Sequence, residues 1–228
     1  DLYLEDFNKI DRKKNKIDKN YQTQINEINE IISTQKNLIV VWHQRWTYKL
    51  EETVYGDDLE LNHNNKDSSL IPYYFMPINS KSLIISDRIE RVSEAIKKQI
   101  NKISDYGHSI ILVYPVPEMK FHVPRKMKQQ NIFNFIFKKK NYSPILSISY
   151  DDYKKRNKKI FNVLDSLTNK NVYRVYPEKS FCNTKIPNKC IGNDNNYLFY
   201  YDNHHLSIDG SKNVVDDIIN KIKDIENN

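Results

Sequence analysis

The chain has 228 residues, of which 39% are hydrophobic, 29% charged and 12% aromatic. These proportions suit one domain with a real core, and they exclude an intrinsically disordered chain, a collagen and a scaffold held only by disulfides. The net charge of +7 is spread over separate basic clusters, and no zinc-finger, RNA-recognition or recognition-helix motif accompanies it, which makes nucleic-acid binding the weakest function class. No apolar run approaches the roughly 18 residues of a membrane helix, and no signal-peptide pattern opens the sequence.

Helices and strands are predicted to alternate along the chain. Short continuous apolar runs are typical of strands buried on both faces of a parallel sheet, and they occur at 38–42, 109–114, 172–176 and 197–200. Apolar residues at helical spacing occur at 7–34 (one helix, or two with a break), 87–106, 150–168 and 208–225. This alternation predicts a single α/β domain over residues 1–228 with a largely parallel sheet.

The segments between these elements are predicted mainly as loops. Residues 56–58 and 62–69 have the composition of turns, and residues 70–76 are a possible short strand. Residues 118–149 are basic and indicate an excursion before the next helix. A loop that contains both cysteines follows the strand at 172–176.

The most informative motif for chemistry lies at the start of the last predicted helix. Asp202 precedes His205 by three residues, a spacing that lets the carboxylate accept a hydrogen bond from Nδ1–H and leaves Nε2 as a general base. Ser207 is placed to cap the helix, which would fix this turn. From these residue types alone, a capped helix start with surface histidines is an alternative. A metal site is disfavoured, because adjacent positions on a turn rarely converge on one ion.

Four segments, in this order, resemble the C-terminal SGNH domain that is fused to membrane-bound acyltransferase-3 proteins, which O-acylate bacterial surface glycans. The resemblance covers about residues 20–225. Its segments are the apolar strand 38–42 followed by Arg45-Trp46, the strand 110–113 followed by the Pro-Val-Pro-Glu turn 115–118, the cysteine pair, and Asp202-Asn-His-His-Leu-Ser with Gly210.

The resemblance implies a three-layer α/β/α, flavodoxin-like fold and a Ser-His-Asp acyl-transfer site. In this site His205 is the general base, Asp202 orients it, and His204 is only a neighbour. The paired cysteines of the family correspond to Cys182 and Cys190. Their close spacing in a loop favours a structural disulfide in an oxidising compartment, with free thiols as the alternative.

The sequence departs from the family pattern at the nucleophile. The family's serine lies in a Gly-Asp-Ser motif after the first strand, and this sequence contains no Gly-Asp-Ser; Gly56-Asp57 is followed by Asp58 and lies in the wrong place. The order of the segments implies that the motif and the first strand belong upstream of Asp1. We therefore interpret the chain as an SGNH domain truncated at its N-terminus, without its first strand.

A second departure concerns the oxyanion hole, because no Gly-x-Asn block follows the strand at 38–42. Gln44 and Arg45 are candidate donors or substrate contacts, and Arg45 is alternatively half of a structural ion pair. Trp46 is a candidate for stacking on a sugar ring, with core packing as the alternative.

The predicted function is O-acylation, most simply O-acetylation, of a cell-surface glycan such as lipopolysaccharide. The domain would lie on the extracytoplasmic side of a membrane, with a glycan acceptor and an upstream membrane acyltransferase domain as partners. No cofactor or metal is predicted, since the membrane domain supplies the acyl donor. The alternatives are a carbohydrate esterase, in which water captures the acyl group, and a degenerate module that binds saccharides without catalysis.

We expect these 228 residues, expressed alone, to lack activity and to aggregate. The nucleophile is not among them, and a sheet without its first strand leaves the neighbouring strand edges open to other chains. Size-exclusion chromatography and an aryl-ester hydrolysis assay test this expectation. A soluble, hydrolytically active preparation would contradict it.

Overall fold

The structure is a computed structural model that describes residues 7–11, 16–51, 73–77, 85–136 and 144–227. Within these ranges the strands are β1 (Phe7–Asp11), β2 (Lys16–Ile17), β3 (Ile39–Trp42), β4 (Tyr73–Pro77), β5 (Ser109–Val113), β6 (Ser147–Ser149), β7 (Val172–Val175) and β8 (Lys189–Ile191). The helices are α1 (Lys19–Thr34), α2 (Trp46–Glu51), α3 (Ile85–Asp105), α4 (Val123–Ile136), α5 (Tyr150–Asp165), α6 (Glu178–Phe181) and α7 (Ile208–Glu226).

Strands β3, β5 and β7 form a parallel sheet in that order. β3 pairs with β5 in parallel. On the other side of β5, the Ile110 N–H donates to the Asn171 carbonyl (2.8 Å), and the Tyr114 N–H, four residues on, donates to Val175 (2.9 Å), so these strands also advance together. Two smaller antiparallel sheets, β2-β1-β4 and β6-β8, complete the described strands. The predicted α/β class with a largely parallel sheet is confirmed.

The described residues divide into two compact units. The first contains the described residues within 1–53, 62–113 and 159–174, and the second those within 114–158 and 175–228. The single domain predicted over 1–228 stays a prediction. None of the helices in the described part of the chain has the length and apolarity that a bilayer crossing requires.

Helices α1 and α3 supply much of the core of the first unit. α1 begins at Asp18, whose carboxylate accepts the Asn20 N–H (3.1 Å) as a helix cap. α3 ends before Gly107, whose φ of +81° is the left-handed conformation that glycine adopts without strain. The buried apolar side chains of the two helices are Tyr21, Ile25, Ile32, Val92, Ala95, Ile96, Ile100 and Ile103.

The helix predicted over 7–34 is wrong in its first third. Residues 7–11 and 16–17 are strands, with Ile10 opposite both Ile17 and Tyr74. The seven-residue spacing of Ile10 and Ile17 fits a helix, but the partner strand β4 is distant in sequence. A local sequence pattern therefore cannot reveal the strand pairing that makes these residues a strand.

Other element predictions need correction. Residues 118–149 contain α4 and β6, the cysteine loop contains β8, and 197–200 form isolated bridges instead of a strand. The possible strand at 70–76 is β4 from Tyr73 onward. Residues 70–72 and the predicted turns at 56–58 and 62–69 lie outside the described residues. α4 escaped prediction because its apolar residues form no single stripe; Ile132, for example, is 51% exposed.

Two apolar runs are less buried than their patterns predict. Val41 in β3 is 44% exposed, and β3 lies at the edge of its sheet among the described strands. On α7, Val215 and Ile219 are exposed, whereas Gly210 and Val214 are the buried residues. An apolar run therefore identifies the element here without identifying which face is covered.

His108 links the end of α1 to the beginning of β5. Its side chain is fully buried. Nε2–H donates to the Ile32 carbonyl (2.7 Å), and Nδ1 accepts the Leu38 N–H (3.3 Å). A neutral imidazole has one donor and one acceptor, so this ring satisfies both backbone groups at once.

We expect His108→Ala to lower the free energy of unfolding by about 3 kcal/mol, because it empties a buried site and leaves two backbone groups without these partners. Urea unfolding measures the change. Lys158→Ala, on the exposed face of α5, is the matched control and should cost less than about 0.5 kcal/mol. An equally small effect of His108→Ala would contradict the bridging role.

Candidate active site

The start of α7 is anchored to the segment before it. Ser207 Oγ accepts the Gly210 N–H (3.0 Å) and donates to the Leu198 carbonyl (2.6 Å). Gly210 lies directly on Phe199, where an added Cβ would stand 2.0 Å from the Phe199 carbonyl oxygen. Any larger residue at 210 would displace the helix, so the cap and the glycine together fix where α7 begins.

A tight hairpin spans residues 200–206. Tyr200 and Leu206 form an antiparallel bridge, and the Tyr201 N–H donates to the His205 carbonyl (2.8 Å). Residues 202–204 are therefore the turn. Successive side chains point to opposite faces: Tyr200 is 1% exposed, whereas Tyr201 is 73% exposed.

The Asp202 carboxylate both closes the turn and orients the imidazole. Oδ1 accepts the backbone N–H of His204 (2.8 Å) and of His205 (2.7 Å). Oδ2 lies 2.6 Å from His205 Nδ1. Because Nδ1 carries the proton in this bond, Nε2 is the basic nitrogen of His205, as the sequence motif predicts.

The charge of Asp202 is stabilised by the same contacts. Burial acts to raise the pKa of its carboxyl group. Hydrogen bonds from the His205 ring and from the backbone N–H groups of His205 and His204 act in the opposite direction and bring the pKa to about 2. Asp202 is therefore an anion at neutral pH, which favours a proton on Nδ1 of His205 and stabilises the imidazolium when Nε2 accepts a second proton.

His204 occupies a different position from His205. Its Nδ1 lies 2.6 Å from Asn203 Oδ1 and 3.7 Å from Asp202 Oδ1, and its ring centroid is 4.0 Å from that of His205. One donor atom from each histidine and one from Asp202 all lie within 4.8 Å of one another, close enough for a metal ion. Binding through the two Nδ1 atoms would require replacing their hydrogen bonds.

The turn is held from behind by the segment that follows β5. The Met119 N–H donates to the Asn203 carbonyl (2.7 Å), and the Val123 N–H, at the start of α4, donates to the Asp202 carbonyl (3.0 Å). These two bonds lock the turn backbone to residues some 80 positions earlier in the chain. The Pro-Val-Pro-Glu turn at 115–118 is thus followed directly by residues whose backbone N–H groups hold the turn that carries His205.

Three side-chain contacts stabilise this support. Tyr200 Oη donates to the Pro117 carbonyl (2.6 Å), and Tyr153 Oη donates to the Pro115 carbonyl (2.8 Å). Glu118 and Arg156 form an ion pair (3.1 Å) in which each side chain is 11% exposed. Sequence reasoning missed these roles, because α5 and the proline turn are far apart in sequence and no local motif marks their contact.

Comparisons with known proteins identify the family of the chain. The family model of the SGNH domain fused to AT3 domains matches residues 4–220. The chain belongs to this SGNH family. Among solved structures, it is similar to the periplasmic domain of a lipopolysaccharide acetyltransferase from Salmonella ser. Paratyphi A, with 16% identity and a TM-score of 0.50, over 96% of this chain and 68% of that one. No curated protein sequence matches the chain significantly.

In this SGNH domain, Cys182 and Cys190 form a disulfide. Cys182 follows α6 and Cys190 lies in β8, and the two residues also form an antiparallel bridge. The bond closes the loop that precedes the hairpin.

The predicted substrate contacts lie in the first unit, whereas the Asp202–His205 pair lies in the second. Trp46 is fully buried and its Nε1–H donates to the Val113 carbonyl (2.8 Å), so the predicted stacking of Trp46 on a sugar is wrong. Arg45 lies over the Tyr48 ring, 5.1 Å from the centroid. The Gln44 side chain is buried, and neither its oxygen nor its nitrogen has a hydrogen-bond partner among the described residues. The functional roles of Gln44 and Arg45 stay predictions.

The His205 ring is hydrogen-bonded to Asp202 in the described part of the chain. No serine or threonine hydroxyl in the described part of the chain donates a hydrogen bond to His205. This observation is consistent with the absence of a Gly-Asp-Ser motif from the sequence. The catalytic roles of Asp202 and His205 stay predictions.

Asp202 is expected to stay ionised from pH 8 down to pH 3, because its pKa is about 2. An unperturbed aspartate has a pKa of about 3.9, so the stability that ionised Asp202 contributes is present above that value and is lost as the pH falls towards 2. The ¹³Cγ chemical shift of Asp202 reports this directly. His205→Ala removes the ring donor and should raise the midpoint; a midpoint near 4 in the unaltered protein would contradict the hydrogen-bonded geometry.

Proposed function

We propose that this SGNH domain transfers an acyl group to a hydroxyl of a bacterial cell-surface glycan. The observation that carries the proposal is the 2.6 Å contact between Asp202 Oδ2 and His205 Nδ1, which sets up Nε2 as a general base. Membership of a family fused to AT3 domains supports acyl transfer, and the similarity to a periplasmic lipopolysaccharide acetyltransferase domain supports an acetyl group, a glycan acceptor and an extracytoplasmic location.

In this proposal the nucleophile is a serine on polypeptide that precedes Asp1. Support comes from the absence of Gly-Asp-Ser in the 228 residues and from an imidazole whose side chain is 66% exposed, so that it is accessible to an incoming hydroxyl. An upstream AT3 membrane domain of the same polypeptide supplies the acyl donor, and the reaction needs no further cofactor.

The first half-reaction acylates the serine. Its hydroxyl oxygen attacks the acyl carbonyl carbon while His205 Nε2 accepts the hydroxyl proton. The bond between the acyl carbon and the donor then breaks, and the proton passes from Nε2 to the departing group. Asp202 stays ionised throughout and compensates the transient positive charge of the imidazole.

The second half-reaction delivers the acyl group. A sugar hydroxyl gives its proton to Nε2, and its oxygen attacks the acyl-serine ester. The ester bond to the serine oxygen breaks, and Nε2 returns the proton to that oxygen. The products are an O-acyl sugar and the free serine, so the enzyme is regenerated.

Gln44 and Arg45 are proposed as donors to the oxyanion or as contacts to the acceptor. The support for Gln44 is its buried carboxamide, which has no partner among the described residues. A buried amide without a partner costs about 1–3 kcal/mol, which a functional contact would recover. Arg45 is supported by its charge and its position next to Gln44 after β3.

An esterase is the second candidate function. It shares the first half-reaction, and it differs only in that water replaces the sugar hydroxyl in the second. The exposure of His205 favours this candidate, because water reaches the imidazole freely in the described unit. A non-catalytic saccharide-binding module would use neither half-reaction, so the same experiment separates it.

His205→Ala in the complete gene product is expected to reduce glycan O-acylation by at least a thousandfold, because the proton has no acceptor without Nε2. Asp202→Asn should reduce it by at least tenfold through loss of the orienting charge. Surface O-acyl content by ¹H NMR and release of acyl groups to water measure transfer and hydrolysis separately.

His204→Ala is the matched control, since it removes the adjacent imidazole, whose Nδ1 lies 3.7 Å from the Asp202 carboxylate against 2.6 Å for His205, and keeps the backbone N–H that donates to Asp202. It should reduce the rate by less than tenfold. Circular dichroism shows whether each variant folds. A folded His205→Ala variant with undiminished acylation would refute catalysis by this site.

A further inference from the structure

Tyr201 is the most exposed aromatic side chain of the described residues, at 73%. Its backbone N–H closes the hairpin by donating to the His205 carbonyl (2.8 Å). Its ring and hydroxyl have no described hydrogen bond or ring contact. The ring therefore presents a flat aromatic surface to solvent from a backbone that the hairpin holds.

The hairpin register places Tyr201 beside the candidate base. Tyr200 bridges Leu206 in antiparallel fashion, so the next pair inward is Tyr201 and His205. Side chains of directly opposite residues lie on the same face, with their Cβ atoms about 4.5–5.5 Å apart. The tyrosine and the imidazole therefore share the solvent-facing side of the hairpin, while Tyr200 is buried on the other side.

We infer that Tyr201 is the stacking platform for the acceptor sugar, a specificity-determining contact that holds one sugar ring beside His205. This inference rests on the proposed acyl transfer to a glycan. The face of a sugar ring presents C–H groups, which pack on the electron-rich face of an aromatic ring, while its hydroxyls stay hydrated or donate hydrogen bonds. A tyrosine supplies this flat surface with only two rotatable angles to fix.

The same geometry distinguishes an acceptor platform from a contact to the acyl group. Tyr201 is open to solvent over most of its surface, which suits a large, hydrated, surface-attached polymer. A small acyl group requires an enclosed pocket to gain from burial. Tyr201 therefore acts in the second half-reaction, where it favours capture by sugar over capture by water.

The test compares transfer with hydrolysis in the purified complete gene product. The donor probe is p-nitrophenyl acetate, and the acceptor is the producing cell's own surface polysaccharide after removal of O-acyl groups with mild alkali. Tyr201→Ala should lower the ratio of transfer to hydrolysis at least tenfold and raise the apparent KM for polysaccharide. Release of p-nitrophenolate without acceptor should stay within twofold of the unaltered protein. Tyr201→Trp and Tyr201→Phe should retain the transfer ratio, because both keep an aromatic face.

Tyr106→Ala removes another exposed tyrosine, which lies after α3 in the first unit, and it should change neither rate. An unchanged transfer ratio in Tyr201→Ala would overturn the inference. An equal loss of transfer and acceptor-free hydrolysis would also overturn it, since Tyr201 would then act on the first half-reaction or on the hairpin. His205→Ala separates the two proposals: if it retains both activities, the proposed function fails, and if it loses both while Tyr201→Ala is unaffected, only the sugar platform fails.

Discussion

The candidate site depends on the Asp202 carboxylate, which makes two kinds of hydrogen bond. Asp202 holds the turn closed through two backbone N–H groups and orients the His205 imidazole through its other oxygen. These contacts cooperate, since closing the turn brings the ring to the carboxylate, and the ring in turn keeps the carboxylate ionised. The arrangement resembles a helix cap in its use of local N–H groups, but here it also determines which ring nitrogen is basic.

Hydrogen bonds on the buried side of the hairpin hold the Asp202 turn in place. The carbonyls of the turn receive N–H groups from Met119 and Val123, and the buried Tyr200 binds the carbonyl of Pro117. The Glu118–Arg156 ion pair lies in the same support with little access to water. Removing one partner of such a pair is costly because the other charge stays buried. The back of the hairpin is therefore fixed, while its front, with Tyr201 and His205, is open.

This division between a fixed back and an open front has a chemical consequence. An exposed imidazole can accept a proton from water as readily as from a sugar hydroxyl. A transferase and an esterase therefore differ only in whether the sugar or the water molecule is bound beside the imidazole. Such a choice is made by contacts beside the base, without any change in the base itself. In the proposed reaction, the selectivity therefore resides in the acceptor contacts, whereas proton transfer resides in the Asp202–His205 pair.

Features that depend on contacts between residues close in sequence were predictable, whereas features that depend on distant contacts were not. The Asp-x-x-His motif is local, because three residues of turn suffice to join the carboxylate and the ring. The strands at 109–113 and 172–175 were also predictable, since a run buried on both faces is apolar throughout. In contrast, β1 depends on its pairing with the distant β4, and α4 carries no apolar stripe, so local patterns missed both.

The sequence by itself thus determined the α/β class, the family and the hydrogen-bonded pair of Asp202 and His205, because each depends on short runs of neighbouring residues. Only the tertiary structure decided that Trp46 lies in the core, that Gln44 is buried without a described partner, and that Tyr201 pairs with His205 across the hairpin. Those facts depend on which surfaces meet after folding. The type of a residue limits which contacts it can make, but the fold of the whole chain decides which of these contacts form.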